Sequence, residues 1–377
     1  MKKIVISADS YKGTLTAKEV CEIIGSAAKS AFSGAEIVEI PIADGGEGTL
    51  EVFSEISGFK YISGVFIDLN GKKISSGYLL DEEKKVAIIE TAKTCGLPMS
   101  EKKDPKITTT LGLGEQIADA IKRGAKEIVV SLGGSGTNDG GCGMLYSLGA
   151  KFFDKFGAEF IPTGGTLCDI CEIDLSALDA YKEVSFTAMC DVTNPPYGEL
   201  GATYVYGRQK GATEEDLVLL DRGIKNLTEL LSRARGEDFS TLSGGGAAGA
   251  LGLALKGGLY AKLERGISVA IKLTGLEKAI ENADVLITGE GKLDEQSFMG
   301  KVIDGVSLVA KKHNVPVVAI CGAVDIFDED LLRENGIVAA FPTVNKAEPF
   351  DKIKTMSGEN LKRTSQSVFS LIEAFSK

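Results

Sequence analysis

Histidine and tryptophan are almost absent from this chain of 377 residues, which contains one His and no Trp. Ser-His-Asp triads, Cys-His pairs and multi-histidine metal sites all require imidazole groups, so these classes of active site are nearly excluded. The one histidine, His313, falls at the end of a predicted helix. A helix C-terminus favours a basic side chain there, which is more typical of a surface residue than of a catalyst.

Positive charge is also scarce, because 42 Lys and Arg residues face 53 Asp and Glu residues, a net charge of −11. Such a chain is a poor candidate for binding nucleic acid or an anionic membrane, although a few lysines can still form a local anion site. It also has no run approaching the length of a membrane span and no apolar signal segment at its N-terminus. We therefore expect a cytoplasmic protein with no nucleic-acid partner and no membrane.

Disulfide-forming and metal-binding cysteine patterns are lacking as well. The seven cysteines are an odd number scattered through apolar stretches, which is typical of buried thiols in a reducing compartment. Cys168 and Cys171 form a single CxxC, without the second pair or the histidines that a zinc site would need. We interpret this pair as structural.

What the chain does contain is a regular alternation of strand and helix patterns at its two ends. Strands are predicted near residues 3–8, 36–43, 284–288, 315–320 and 337–342, with helical patterns between them. Such alternation indicates a doubly wound parallel sheet. The first of the intervening helices is preceded by a capping box, Thr16 to Glu19.

The middle of the chain begins differently, with a predicted hairpin over residues 66–75 whose Asn70-Gly71 pair is typical of a type I′ turn. The predicted fold class is therefore α/β: a Rossmann-like domain with a doubly wound parallel sheet, and a second, inserted α/β domain with a mixed sheet. We place the Rossmann-like domain at residues 1–60 plus 280–377 and the inserted domain at residues 61–279.

Polar, glycine-rich loops follow four of the predicted strands, at the carboxyl ends where open parallel sheets bind ligands. Loop 9–14 contains Asp9, Ser10 and Lys12, which favours an anion with a metal nearby, or else a turn capped by Asp9 and Ser10. Loop 44–49 contains three glycines with Asp44 and Glu47. Two acids argue against a direct phosphate cradle and favour Mg²⁺ or hydroxyl binding.

Loop 133–141 is the best candidate for binding phosphate, because it offers many amides, two hydroxyls and a predicted helix N-terminus. It is not a Walker A loop, and Asp139 stands where the last glycine of GxGxxG would fall. In loop 289–296, one glycine separates the acid Glu290 from Lys292. This pairing suggests Mg²⁺-nucleotide binding, or else a solvated turn with paired charges.

Three further segments are notable. Asp191 and Asn194 follow a predicted strand in a turn stiffened by two prolines, which suits a general base, a metal ligand or a capped turn. Arg208 and Lys210 form a basic turn that could bind a carboxylate or phosphate, or lie in solvent. Residues 244–249 match GxGxxG but lack a clear preceding strand, so we interpret them as a small-residue loop that opens a helix near 247–255.

Six of these segments, taken in chain order, resemble the type 1 glycerate kinase family (glycerate 2-kinases). They are Asp9-Ser10-Tyr11-Lys12-Gly13, Pro41-Ile42-Ala43-Asp44-Gly45-Gly46-Glu47-Gly48-Thr49, Gly133-Gly134-Ser135-Gly136-Thr137-Asn138-Asp139-Gly140-Gly141, Cys190-Asp191-Val192-Thr193-Asn194-Pro195, Gln209-Lys210-Gly211-Ala212-Thr213 and Ile287-Thr288-Gly289-Glu290-Gly291-Lys292-Leu293-Asp294. Each segment is weak alone, but the ordered set is highly specific. The chain departs from the family pattern at Ala250, where the family has glycine.

The resemblance implies ATP- and Mg²⁺-dependent phosphorylation of D-glycerate to 2-phosphoglycerate, with ADP as the second product. It also implies two α/β domains with the active site in the cleft between them, acting as a monomer or homodimer. The alternatives are a non-catalytic sensor of glycerate or another sugar acid on the same scaffold, and a kinase for another small hydroxy acid. An NAD-dependent oxidoreductase that uses residues 244–249 is a third reading.

Phosphoryl transfer needs positioning and charge neutralisation rather than histidine, so roles can be assigned by chemistry. Asp191 is predicted to orient the glycerate hydroxyl and accept its proton, and Lys12 to neutralise the γ-phosphate or the glycerate carboxylate. The remaining predicted roles are substrate binding by Asp9, Ser10, Asn194, Arg208 and Lys210, nucleotide binding by Gly133, Gly134, Ser135, Gly136, Thr137, Asn138 and Lys292, and Mg²⁺ binding by Asp44, Glu47 and Glu290.

Overall fold

The computed structural model describes residues 1–46, 48–54, 56, 58–326, 328–344, 346 and 349–375. Its strands are β1 Lys3–Ile6, β2 Glu36–Glu39, β3 Phe59–Ile67, β4 Lys73–Asp81, β5 Val86–Glu90, β6 Glu127–Ser131, β7 Lys151–Phe153, β8 Glu172–Asp174, β9 Ser185–Met189, β10 Lys262–Glu264, β11 Val285–Thr288, β12 Lys292–Leu293, β13 Val317–Cys321, β14 Ala323–Val324 and β15 Ile337–Pro342.

The helices alternate with these strands over most of the chain. They are α1 Ala17–Ala31, α2 Thr49–Phe53, α3 Ala92–Cys95, α4 Leu111–Lys122, α5 Cys142–Ser147, α6 Ala202–Tyr206, α7 Glu214–Arg235, α8 Ala247–Leu259, α9 Gly266–Thr274, α10 Leu276–Ile280, α11 Val302–Lys312, α12 Glu329–Glu334, α13 Phe350–Thr355 and α14 Ser357–Phe375. Short 3-10 helices include Arg208–Lys210 and Glu295–Phe298. No helix among the described residues combines the length and the apolar character needed to cross a membrane.

Two compact units share the chain: unit 1 is Met1–Asp44 with Arg265–Lys377, and unit 2 is Gly45–Glu264. The crossings predicted from the sequence, near 60 and 280, lie farther along the chain at both points. The observed boundaries come earlier in the chain because α2 packs against β5 of unit 2 and α9 packs against α11 of unit 1. Short helices next to a boundary carry no pattern that says which sheet they will join.

Unit 1 is built on a five-stranded, wholly parallel sheet in the order β15-β13-β11-β1-β2. Apolar residues of α1 and α14 cover one face, where they pack with Ile4, Ile6 and Ile287. Helix α11 packs against β11, and the alternate residues Val5 and Leu286 are fully buried. Because successive side chains of a strand point to opposite faces, both faces of the sheet are covered, as a doubly wound fold requires.

The strand order of this sheet reverses between β1 and β11. From β1 the chain proceeds to β2 on one side, whereas β11, β13 and β15 extend the sheet on the other. Such a reversal is a topological switch point, and open α/β sheets bind their ligands outside the carboxyl ends of the strands there.

Unit 2 is built on a six-stranded mixed sheet in the order β10-β9-β6-β5-β4-β3. The four strands from β10 to β5 are parallel, and β4 and β3 add an antiparallel hairpin. A core on one face of this sheet, formed by alternate strand residues and the helices packed on them, includes Ile89, Val130, Leu227 and Leu251. The predicted fold class, a doubly wound parallel domain with an inserted mixed-sheet domain, is confirmed.

The hairpin between β3 and β4 is present, but the predicted type I′ turn is wrong. That turn needs a positive φ at both central residues, and here Gly71 has φ +81 while Asn70 has no positive φ. Instead, the Asp68 carboxylate accepts hydrogen bonds from the amides of Asn70 (2.9 Å) and Lys72 (2.8 Å). Asp68, the first residue of the turn, therefore determines its shape through its side chain.

Candidate active site

The carboxyl edge of the unit 1 sheet gathers acidic residues from three adjacent strands. Asp9 follows β1, Asp44 follows β2 and Glu290 follows β11. The Asp9 amide donates to Gly289 O (2.9 Å), which joins the two loops across the switch point. Glycine is required at 289, because a Cβ atom there would lie 2.0 Å from Ile320 O.

Burial and neighbouring carboxylates raise the pKa values of the acids in this cluster. Burial, with the charges of Asp44 and Glu290 adding to it, raises the pKa of Asp9 to about 7. The Ser10 amide, which donates to Asp9 Oδ1 (2.6 Å), and the Lys12 ammonium group oppose that rise. Burial likewise raises the pKa of Glu290. A cation placed among these groups would be attracted by all of them.

Three buried oxygens near this edge have no hydrogen-bond partner within the described part of the chain: Ser7 Oγ, Thr288 Oγ1 and Glu290 Oε1. Buried polar groups nearly always have partners, so orphaned ones point to water, an ion or a ligand. Ser7 and Thr288 are not among the site residues predicted from the sequence. Their signal is a hydroxyl at the end of an otherwise apolar strand, directly before a polar loop.

The predicted Mg²⁺ ligands form at most part of a coordination shell. Among the residues that the structure describes, no three His, Cys, Asp or Glu side chains converge closely enough to hold a metal ion. Glu47 lies outside the described residues. Since Mg²⁺ typically uses one or two protein carboxylates and completes its shell with water and phosphate oxygens, the donor set of Asp44 and Glu290 fits it.

The other residues predicted in unit 1 differ in how they are held. Lys12 is exposed, in a turn that Tyr11 anchors by donating a hydrogen bond from its buried hydroxyl to Ile320 O (2.5 Å). Lys292 is half-exposed, with Nζ 2.7 Å from Asp325 Oδ2 and 3.4 Å from Asp294 Oδ2. Lys292 thus forms the paired charges of a solvated turn, and it lies in a different unit from loop 133–141.

Loop 133–141 of unit 2 is fixed by close backbone contacts. A Cβ atom at Gly133 would lie 2.8 Å from Gly46 Cα, so these two glycine-rich segments touch. The Gly136 amide donates to Cys95 O (2.7 Å), and Gly134 O accepts from the Leu97 amide (2.8 Å). The first half of the loop is therefore tightly held before any ligand binds.

The helix N-terminus at the end of this loop is already occupied by a side chain. The Asp139 carboxylate accepts hydrogen bonds from the amides of Thr110 (2.8 Å), Gly141 (3.1 Å) and Gly143 (3.2 Å) and from Thr110 Oγ1 (2.8 Å). The predicted helix N-terminus is thus not open to phosphate. Phosphate-binding amides would have to come from residues 133–138.

Two predicted nucleotide donors of this loop point inward. Thr137 and Asn138 are fully buried. Asn138 Nδ2 donates to Thr203 Oγ1 (3.2 Å), whereas Thr137 Oγ1 and Asn138 Oδ1 have no partner among the described residues. These side chains therefore hold the loop from inside, and Ser135 is left as the hydroxyl nearer its surface.

The GxGxxG match forms a packing turn rather than a dinucleotide site. No strand is described between 240 and 246, and Ala248, Gly249 and Ala250 have φ values of 53, 70 and 65. This left-handed turn opens α8 and packs against loop 133–141, because a Cβ atom at Gly249 would lie 2.1 Å from Thr137 O. The interpretation as a small-residue loop before a helix agrees with this geometry.

The basic turn before α7 also makes internal contacts. Arg208 binds both carboxylate oxygens of Glu214 (2.7 and 2.9 Å) and donates to Tyr204 O (3.0 Å). Lys210 is buried, and its ammonium group donates to Ser135 Oγ (3.1 Å) and Thr137 O (2.7 Å). The structure therefore brings Lys210 to loop 133–141, while the Arg208 guanidinium is held by Glu214.

Asp191 and Asn194 lie in the turn after β9. Asp191 is exposed at the carboxyl end of that strand. The Asn194 amide group donates to Leu200 O (2.7 Å) and accepts from the Tyr206 hydroxyl (2.7 Å), so it holds the turn in shape. The rigid turn that a positioned base requires is thus present.

Glu90, at the end of β5, is a further residue that the sequence analysis missed. It is buried, and its carboxylate accepts from the amides of Leu50 (3.0 Å) and Gly48 (3.4 Å) at the start of α2. It thereby fixes the end of loop 44–49. An acid that ends the apolar run of β5 was the available signal.

Comparison with known proteins agrees with the motif order. Residues 4–373 match the model of the glycerate kinase family. A glycerate kinase from Bacillus cereus is 40% identical over 97% of both chains, and a glycerate 2-kinase from Escherichia coli K12 is 39% identical over 97% of both.

A solved structure has the same fold over the whole length. The crystal structure of a Salmonella typhimurium LT2 protein assigned as glycerate kinase 2 has a TM-score of 0.90 and 36% identity, covering 100% of this chain and 99% of that one. With relatives near 40% identity over almost the entire length, the chain is a kinase that belongs to the glycerate kinase family.

Proposed function

We propose that this protein transfers the γ-phosphate of ATP to the 2-hydroxyl of D-glycerate, giving 2-phosphoglycerate and ADP, with Mg²⁺ as the cation. The observation that carries the proposal is the acidic cluster at the switch point of unit 1, in which Asp9 and Glu290 are buried and Asp44 is half-buried. Phosphoryl transfer needs such acids to hold a divalent cation and needs no histidine. The names of the relatives support glycerate as the acceptor.

In unit 1, Asp44 and Glu290 would hold Mg²⁺, which supplies charge neutralisation at the phosphate groups when bound. Asp9, which repels both acids, would make the site more favourable for a cation. Ser10 and the exposed Lys12 would bind the anionic groups of the substrate, because an ammonium group on a flexible stem suits a carboxylate or phosphate.

In unit 2, Asp191 would orient the hydroxyl of glycerate and accept its proton. Residues 133–135 would bind the nucleotide phosphates through their backbone amides, since the Gly136 amide already donates to Cys95 O. Asn194 and Arg208 have local partners in the structure, and we assign them to holding their turns rather than to binding substrate.

The free thiols of all seven cysteines are consistent with a reducing compartment, as in the cytoplasm.

The first experiment measures ADP release from Mg-ATP with and without D-glycerate and reads the position of the product phosphate by ³¹P NMR. Glycerate-dependent turnover to 2-phosphoglycerate is the expected result. Turnover to the 3-phosphate would refute the product, and turnover only with other hydroxy acids would refute the substrate. Glycerate binding without any turnover would favour the sensor.

Asp191→Asn tests the proton acceptor. Loss of a positioned base typically costs about 10²–10⁴-fold in rate, so we expect kcat to fall by about two orders of magnitude or more. The matched control is Glu199→Gln, which removes an exposed acid from the same turn. Near-normal kcat in a folded Asp191→Asn protein would refute the assignment.

Glu290→Gln tests the cation site. Because the substitution keeps the size of the side chain and removes its charge, we expect the Mg²⁺ concentration for half-maximal turnover to rise about ten-fold or more. Glu295→Gln, on the same loop and exposed, is the control. An unchanged Mg²⁺ requirement in Glu290→Gln would exclude Glu290 as a ligand.

A further inference from the structure

Lys210 is an unusual residue, a lysine with 2% of its surface exposed. It ends the short 3-10 helix Arg208–Lys210 and is followed by Gly211, which has φ +102. A Cβ atom at Gly211 would lie 1.6 Å from Lys103 O, so the backbone here is closely packed. Burying an ammonium group is costly unless it has hydrogen-bond partners, so its partners indicate what it does.

Both partners of Lys210 lie on loop 133–141. Its Nζ atom donates to Ser135 Oγ (3.1 Å) and to Thr137 O (2.7 Å). One side chain therefore joins the turn at 207–211 to a loop more than 70 residues away in the chain and holds two alternate residues of it. Because Lys210 is buried, its ammonium group is closed to a ligand in this structure.

We infer that Lys210 is a positioning residue: its buried ammonium group holds loop 133–141 in the shape that receives the nucleotide phosphates, and it does not contact D-glycerate. The inference rests on the proposed function for the identity of the ligand, but the holding of the loop stands on geometry alone. It replaces the expectation that Lys210 binds substrate directly.

Two titratable groups face Lys210, the Asp139 carboxylate of the same loop and the Cys95 thiol at the end of α3. Burial lowers the pKa of Lys210 to about 8, and both facing groups oppose that change. Burial also raises the pKa of Asp139 and, to about 12, that of Cys95. The Cys95 thiol therefore stays protonated over the pH range in which Lys210 loses its positive charge.

Deprotonation of Lys210 should weaken the binding of ATP while the contribution of Lys210 to folding stability increases. Above about pH 8 the loop loses a positive charge that favours anions, so KM for ATP should rise. In the same range the unfolded chain binds more protons than the folded chain, since an unfolded lysine titrates near 10.4. The contribution of Lys210 to stability should therefore increase with pH up to that value.

The decisive experiment compares Lys210→Met with wild type by backbone hydrogen exchange, without ligand. Loss of two buried hydrogen bonds should speed exchange of the amides at 133–138 about ten-fold or more. The control is Lys106→Met, which removes a partly exposed lysine of unit 2 paired with Asp216 (2.7 Å). Unchanged exchange in the Lys210→Met loop would overturn the inference, whatever the activity.

Kinetics separate positioning from direct substrate contact. We expect KM for ATP to rise about ten-fold in Lys210→Met, with kcat within about a factor of three. A rise in KM for D-glycerate with unchanged KM for ATP would instead show that Lys210 contacts the substrate, and would overturn the inference. A wild-type protein without turnover would refute the proposed function, while the exchange measurement would still decide the holding of the loop.

If Lys210→Met does not fold, two measurements take its place. Ser135→Ala removes one acceptor of Lys210 and should speed exchange within residues 133–138, by less than ten-fold. In wild type, KM for ATP should rise above about pH 8 while the melting temperature does not fall over the same step. A KM for ATP that is flat through this range, with unchanged exchange in Ser135→Ala, would overturn the inference.

Discussion

At the scale of single residues, Ala250 adopts a backbone conformation that residues with a Cβ atom seldom adopt. Ala248 and Ala250 both lie in the left-handed region, at φ 53 and φ 65, on either side of Gly249. A residue with a Cβ atom costs about 1–2 kcal/mol in this conformation. The strain persists because the turn packs tightly against loop 133–141, the same loop that Lys210 holds.

Ala250→Gly measures this strain against a matched control, Ala254→Gly. Both alanines are fully buried in α8, so both variants lose the same methyl group and gain the same glycine flexibility. Of Ala250 and Ala254, only Ala250 is left-handed, so the Ala250→Gly variant should be more stable than the Ala254→Gly control by about 1–2 kcal/mol. Urea unfolding checks this, and equal stabilities would show that Ala250 carries no strain.

At the scale of elements, α7 shows how local sequence determines where a helix begins and where it ends. Thr213 and Asp216 form a capping box, in which the Thr213 hydroxyl accepts from the Asp216 amide (3.2 Å) and Asp216 accepts from the Thr213 amide (3.0 Å). Lys106 adds an ion pair with Asp216 at 2.7 Å. Gly236, with φ +67, ends the helix in the left-handed conformation that glycine adopts freely.

Asp216→Ala should destabilise the protein by about 1–2 kcal/mol at pH 7, because it removes the N3 half of the capping box and the ion pair with Lys106. The Lys106 ammonium and the Thr213 amide lower the pKa of Asp216 to about 2. A carboxyl whose pKa is lowered by folding stabilises above its unfolded value, near 3.9, and loses that contribution as the pH falls towards the folded value. The difference from wild type should therefore shrink between pH 4 and pH 2.

Urea unfolding at several pH values tests this, with Glu215→Ala as the control. Glu215 lies in the same first turn and is exposed. It should show neither a large loss at pH 7 nor the same dependence on pH. An Asp216→Ala deficit that stays constant from pH 7 to acid would contradict the role of the ionised cap.

At the scale of the whole molecule, the two units differ in how the chain builds them. Unit 2 is one continuous stretch, Gly45–Glu264, with its own six-stranded sheet and a large apolar core. Unit 1 needs both ends of the chain, because β1 pairs with β11, which lies far away in the sequence. Contacts between distant segments are slow to form, since loop closure costs entropy before it is rewarded.

Residues 45–264 expressed alone should therefore fold. A continuous segment with its own sheet and core meets the usual requirements of an independent domain. We expect a far-UV circular dichroism spectrum of α/β type and one cooperative transition in urea. A fragment that melts gradually without a transition would contradict the prediction. Residues 1–44 alone, which contain β1 and β2 but lack β11 on the other side of β1, are the negative control.

The sequence by itself determined the elements and their order. Short apolar runs, which alternate with helical patterns, located β1, β11, β13 and β15. The Thr16–Glu19 capping box marks the start of α1, as the structure confirms. These features depend on residues a few positions apart, so they can be read from a short window. The six ordered motifs likewise indicated the glycerate kinase family, which the comparisons confirm.

Only the tertiary structure decided how the site residues are used. Asp139 and Glu90 cap helix starts, Lys210 holds a distant loop, and Ser7 and Thr288 are left buried without partners in the described chain. Each of these facts depends on which groups from distant segments meet at one edge of a sheet, and on how much water burial removes. A polar side chain in a loop has the same appearance in the sequence whether it binds a ligand or an amide of its own chain, because its partner is chosen by packing.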